Sequence, residues 1–181
     1  MERLSATHQK IAILPFKVSF NEEYKANARI RGGRSGSDYW KEQERLAGLD
    51  MQKEFFVSVA KQVEKGKMEK VVQDFLTTNK RLAASAVRIQ DIPLIDKGKL
   101  GQILGVDAVI WGETNIEINP FFMGSSSAGG ATTVGGIYDA RQGNLLWQKK
   151  VTQRPSNRMD TPKRLGSYTA GQLAKMLPYG A

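Results

Sequence analysis

Residues 104–112 read L-G-V-D-A-V-I-W-G, and no other stretch restricts the fold as much. A nearly unbroken apolar, β-rich run suits a strand covered on both faces, in a sheet between helix layers. Just before it, K-L-G-Q-I-L at 99–104 reads as the end of a short helix, with Gly105 as its C-cap. A helix stops, the chain turns within about two residues, and a buried strand begins. The other elements are placed against that strand.

Residues 1–9 read as a flexible N-terminal tail that includes the single histidine, His8. Residues 10–181 read as a single α/β domain. K-I-A-I-L-P-F at 10–16 predicts the first strand, ended by Pro15, which has no N–H to give to a ladder. Residues 17–37 predict a long polar loop. Ser37 or Asp38 caps a helix running to about Val63, with Leu49, Phe56, Val59 and Val63 on its core face. Lys70 to Phe75 predicts the second strand. Thr77 or Thr78 then caps a helix to Ala86, an apolar loop covers 89–95, and Asp96 caps the helix before the central strand. That strand continues to about Ile118, with Thr114, Ile116 and Ile118 facing the core and Glu113, Asn115 and Glu117 facing solvent. Strands over 131–140 and 145–153 flank a tight turn at 141–144, and a helix with Pro162 in its first turn follows.

Helical crossovers make the first three strands parallel, and hairpins make the fourth antiparallel. The expected architecture is a three-layer α/β/α fold with a five-stranded mixed sheet, order 2-1-3-4-5. Trp111 and Trp147, both in apolar strand runs, are expected to be largely buried.

The chain has no cysteine and one histidine, which disfavours thiol chemistry, a Ser-His-Asp triad and a multi-histidine metal site. No metal or cofactor is expected. No apolar run reaches the roughly 20 residues of a transmembrane helix, and Met1-Glu2-Arg3 opens no signal peptide. The net charge is +9. Residues 101–150 carry 3 basic and 4 acidic groups by count, so the excess lies in the helical and loop segments. Such a surface attracts polyanions or an acidic partner.

The segment 25–36 carries Lys25, Arg29, Arg31 and Arg34 around Gly32, Gly33 and Gly36. One reading is a solvated connection. The sharper one is a binding loop whose glycine amides and arginines converge on phosphate or carboxylate. It lacks the spacing of a phosphate-binding P-loop. Glu113 and Glu117 share a strand face but read as solvent-side residues, Asp107 reads as a turn or capping group, Asp139 is a further sheet-region carboxylate with no catalytic partner, and Ser125-Ser126-Ser127 lacks a nucleophile elbow. No catalytic residue is expected.

The strings at 10–16 and 104–112, with I-Y-D-A-R-Q-G-N-L-L-W at 137–147, resemble the soluble domain of bacterial cell-envelope lipoproteins. These include the CsgG curli-secretion lipoprotein, the LpoB-type activators of penicillin-binding proteins and the N-terminal domain of TolB. The likeness covers most of the chain from Lys10, and its motifs are structural. It implies a non-enzymatic envelope accessory protein acting in assembly, secretion or activation of a cell-wall synthase. Such a protein is periplasmic and outer-membrane anchored where an export segment has been removed. The partner is then an envelope protein or a second copy, with an anionic glycan or lipid surface as a further option. Residues 119–130 are too short to supply two membrane strands of about 9–11 residues each, against a pore. The alternative is a basic nucleic-acid-binding module, for which interleaved aromatics and a helix-turn-helix pattern are missing.

Overall fold

A computed structural model describes residues 7–30, 36–118, 129–156 and 160–180. Along the chain come β1 (Lys10–Ile13), β2 (Lys17–Phe20), α1 (Glu22–Ile30), α2 (Ser37–Glu64), β3 (Val71–Val72) and α3 (Phe75–Ala84). A 3-10 helix (Ile89–Leu94), α4 (Lys97–Leu104), β4 (Ala108–Ile118), β5 (Gly129–Asp139), β6 (Leu145–Gln153) and α5 (Pro162–Lys175) follow.

The strands form one mixed sheet in the order β3-β1-β4-β5-β6, with β2 also paired to β4. β1, β2 and β3 are held by parallel pairing, while β5 runs antiparallel to both β4 and β6. This is the expected α/β sheet with helices on both faces and one extra strand. Successive residues of β4 feed opposite cores, as the pleat requires. Ala108, Ile110 and Ile116 join Met51, Phe55 and Val59 of α2 and Leu165 and Leu173 of α5. Val109 and Trp111 join Leu82 of α3, Ile92 of the 3-10 helix and Leu100 and Leu104 of α4. The second helix layer covers only the first half of β4. Beyond Trp111, Glu113, Asn115 and Glu117 are exposed while Thr114 and Ile116 are buried.

The local signals around α4 act as read. The Asp96 carboxylate accepts from the Lys99 N–H at 2.9 Å. Gly105 ends α4 at φ 65°, a left-handed conformation that costs glycine little. At the last helix the Thr161 hydroxyl accepts from Arg164 N–H, with Pro162 in the first turn.

Several expectations are corrected. The first strand breaks at residues 14–16 and resumes as β2, because Pro15 has no N–H and the Phe16 N–H turns to Gly48 O of α2, 3.3 Å away. Both pieces pair with β4. The loop expected at 17–37 instead holds β2 and α1. The Asn21 side chain accepts from Tyr24 N–H at the start of α1, and Glu22 and Glu23 occupy its first turn. The second strand shrinks to two residues because Asp74, not a threonine, caps α3, accepting from Leu76 and Thr77 N–H. Thr78 is instead fully buried, its hydroxyl donating to Gln73. Residues 89–94 form a 3-10 helix rather than a loop. No side chain caps α2, which starts at Ser37. Trp111 is buried, but Trp147 is only partly so. His8, which the sequence reading puts in the N-terminal tail, is 1 % exposed.

Candidate functional site

The segment singled out in the sequence joins α1 to α2. Arg31 and Arg34, and the side chain of Arg29, lie outside the described residues; the Arg29 backbone belongs to the last turn of α1. Lys25 is not a free charge. Its ammonium lies 3.0 Å from Glu44 and 3.2 Å from Glu22. Burial works against the charged lysine, but the hydrogen bonds and charges of Glu44 and Glu22 outweigh it and raise its pKa. Glu44 also accepts the Phe20 N–H at 3.1 Å, so one carboxylate of α2 ties down both α1 and β2.

Beneath this junction is an aromatic cluster. Trp40 lies 5.9 Å from Phe20, 5.7 Å from Tyr24 and 5.1 Å from Tyr39 between ring centroids, all edge-on. Such pairs favour a fixed platform over a mobile one. Trp40 is buried, and its indole N–H has no hydrogen-bond partner among the described residues.

A groove of about 460 Å³ is lined by residues 16–19 of the β1–β2 stretch, by Asp38, Lys41, Glu42, Glu44 and Arg45 of α2, and by Ile89, Gln90 and Pro93 of the 3-10 helix. Arg45 forks onto Glu42 through two bonds of 2.7 and 2.8 Å, which lowers the Glu42 pKa and raises that of Arg45. Lys17 lies 3.7 Å from Glu113. A lining that mixes apolar residues with charges of both signs suits a peptide segment better than a small uncharged molecule.

A second hollow, of about 230 Å³, lies at the opposite ends of β1 and β4. Here the Tyr179 hydroxyl is 2.8 Å from His8 Nδ1, and His8 Nε2 is 3.5 Å from Asp139. Tyr179 and Asp139 thus approach the two ring nitrogens of His8 from opposite sides of the ring. Burial first, and Asp107 second, raise the Tyr179 pKa, so the phenol stays protonated. The carboxylates are already engaged. Asp107 accepts the N–H groups of Gln9 and Lys10 at 2.9 and 2.8 Å, and Asp139 accepts those of Arg141 and Gln142. Backbone bonding was the sequence expectation for Asp107, although its partners are distant in sequence. Glu117 is exposed, and Ser125, Ser126 and Ser127 lie outside the described residues. Among the described residues no group of three or more metal-ligating side chains could hold an ion. Sequence reading missed the His8 contact because no local pattern signals a partner 171 residues away.

No protein-family description and no curated protein matches the sequence. Solved structures of three bacterial proteins resemble the chain at low identity. Lipoprotein GNA1162 from Neisseria meningitidis is 16 % identical with a TM-score of 0.48, over 93 % of this chain and 99 % of that one. The LpoB C-terminal domain from Salmonella enterica is 9 % identical at 0.42, over 82 % and 85 %. The PelC dodecamer from Paraburkholderia phytofirmans is 10 % identical at 0.46, over 97 % and 91 %.

Proposed function

We propose that the chain is a non-enzymatic accessory protein of the bacterial cell envelope that acts by binding another protein. In this reading it is exported, works in the periplasm at the outer membrane, and serves envelope assembly, secretion or activation of a cell-wall synthase. The motif resemblance at 10–16, 104–112 and 137–147 supports the setting. The binding role is supported by the order of the chain: the arginine- and glycine-rich segment immediately precedes α2, the helix that contributes Lys41, Glu42 and Arg45 to the larger groove and packs Trp40 against Phe20 and Tyr24. Arginines are suited to forked bonds with the carboxylates of a partner. Arg29, Arg31 and Arg34 are the partner-binding residues in this proposal. Lys25 holds α1 to α2 and supports the site indirectly.

The test is a variant with Arg29, Arg31 and Arg34 all changed to alanine. Its thermal midpoint should match wild type, because surface charges of this kind usually change stability by less than about 0.5 kcal/mol. It should lose capture of its envelope partner at roughly 0.15 M salt, where close ion pairs persist. Equal capture by variant and wild type would remove the segment from the interface. Recovery of the natural gene product in the cytosolic fraction would remove the envelope setting.

A further inference from the structure

β6 is the outer strand of the sheet, with no strand beyond it among the described residues. Its nine residues pair with β5 alone. Alternate N–H and C=O groups of a strand paired on one side point outward, ready for another chain. No proline interrupts β6. α5 packs against one face of it, where Trp147 and Val151 join the core, while Leu145, Leu146, Gln148, Lys149, Lys150 and Thr152 are exposed.

The side chains along this edge have one sign. Arg141, Lys149, Lys150 and Arg154 are the charged residues of 141–154, and none is acidic. Lys149 stands beside Gly135 and Lys150 beside Val134 on β5, so neither lysine meets a carboxylate across the ladder. Successive residues point to opposite faces, which puts one lysine on each face at the middle of the edge. At the start of the strand, Leu145 and Leu146 are 45 % and 40 % exposed.

We propose that β6 is a strand-addition site for an extended acidic segment of a partner protein. Two consecutive acidic residues on an added strand would sit beside Lys149 on one face and Lys150 on the other, while apolar residues further along would cover Leu145 and Leu146. The backbone ladder gives affinity, and the alternating side chains give selectivity. A second copy of β6 is a poor occupant, because antiparallel pairing about the centre would bring lysine against lysine. The site is on the opposite side of the sheet from β2 and is independent of the arginine segment.

The probe is a fluorescent peptide of about ten residues, rich in threonine and valine, with two consecutive glutamates and valines placed to meet Leu146 and Leu145. It is titrated against the full chain at about 0.15 M salt. Binding should weaken at least about tenfold when alternate backbone nitrogens of the peptide are methylated. The double variant Lys149→Glu, Lys150→Glu should lose the glutamate peptide and gain its lysine counterpart, a charge swap that a misfolded chain could not show. The variant lacking Arg29, Arg31 and Arg34 should bind the peptide as wild type does, which separates this site from the proposed one. Undiminished binding of the methylated peptide would overturn strand addition. So would absence of binding, a single-stranded oligonucleotide binding more tightly at the same place, or sedimentation showing that the edge is closed by a second copy.

Discussion

Lys97 is a buried cation whose direct partners are carbonyl oxygens. Its ammonium donates to Ile92 and Ile95 O, both at 2.8 Å, and lies 4.3 Å from the centroid of the Trp111 ring. It fastens the end of the 3-10 helix to the first turn of α4, over the residue that closes the second core. Burial lowers its pKa, against the opposing pull of Asp96 and Glu113. The folded chain therefore releases this proton at a lower pH than the unfolded chain. Between the depressed value and the ordinary 10.5, the unfolded state binds more protons, so stability gained from this group rises with pH. Lys97→Met leaves two carbonyls without their donor and should cost about 2–3 kcal/mol in urea unfolding at neutral pH. The wild-type advantage should widen through that alkaline window. A constant difference across it would mean that Lys97 titrates normally.

At the level of elements, the join between α2 and the interrupted strand depends on one glycine. A Cβ on Gly48 would stand 2.1 Å from Phe16 O, a backbone atom that cannot swing aside. Glycine to alanine inside a helix ordinarily stabilises by about 1 kcal/mol. Here the sign should reverse, with Gly48→Ala losing about 1–3 kcal/mol to forced displacement and weakening the bond from Phe16 N–H to Gly48 O. Equilibrium unfolding checks the sign directly, and a stabilised variant would place α2 farther from the strand. Across the sheet, α5 is registered by buried hydroxyls: Thr114 to Thr133 at 2.8 Å, Thr133 to Thr169 at 2.7 Å, and Thr169 to Gly166 O at 2.8 Å. Thr133→Val keeps the volume and breaks the chain at its middle. It should cost about 1–2 kcal/mol, read in the same unfolding assay.

For the whole molecule, the two helix layers are unequal, and this sets which parts of the sheet are stable. The layer order was legible because it is encoded locally. The run at 104–112, the caps at Asp96 and Gly105, and the alternation after Gly112 are each short patterns with one physical reading. β2 and α1 were hidden because Asn21 and the K-V-S-F strand sit inside a polar stretch that also fits a loop. The groove and the engagement of Lys25 were hidden because they depend on Glu44, brought in by tertiary packing. β6 was readable as an outer strand, but that its lysines face no carboxylate across the ladder needed the register. Hydrogen exchange should follow the same inequality. Amides of Ala108, Val109 and Ile110, in the stretch of β4 between β1 and β5 and fully buried, should exchange only by global opening. Alternate amides of β6, those pointing away from β5, should exchange orders of magnitude faster than their neighbours. Adding the acidic peptide should slow that fast set and leave β4 unchanged. If the free chain already protects every β6 amide as strongly as Ile110, the edge is closed in solution and strand addition has no place to occur.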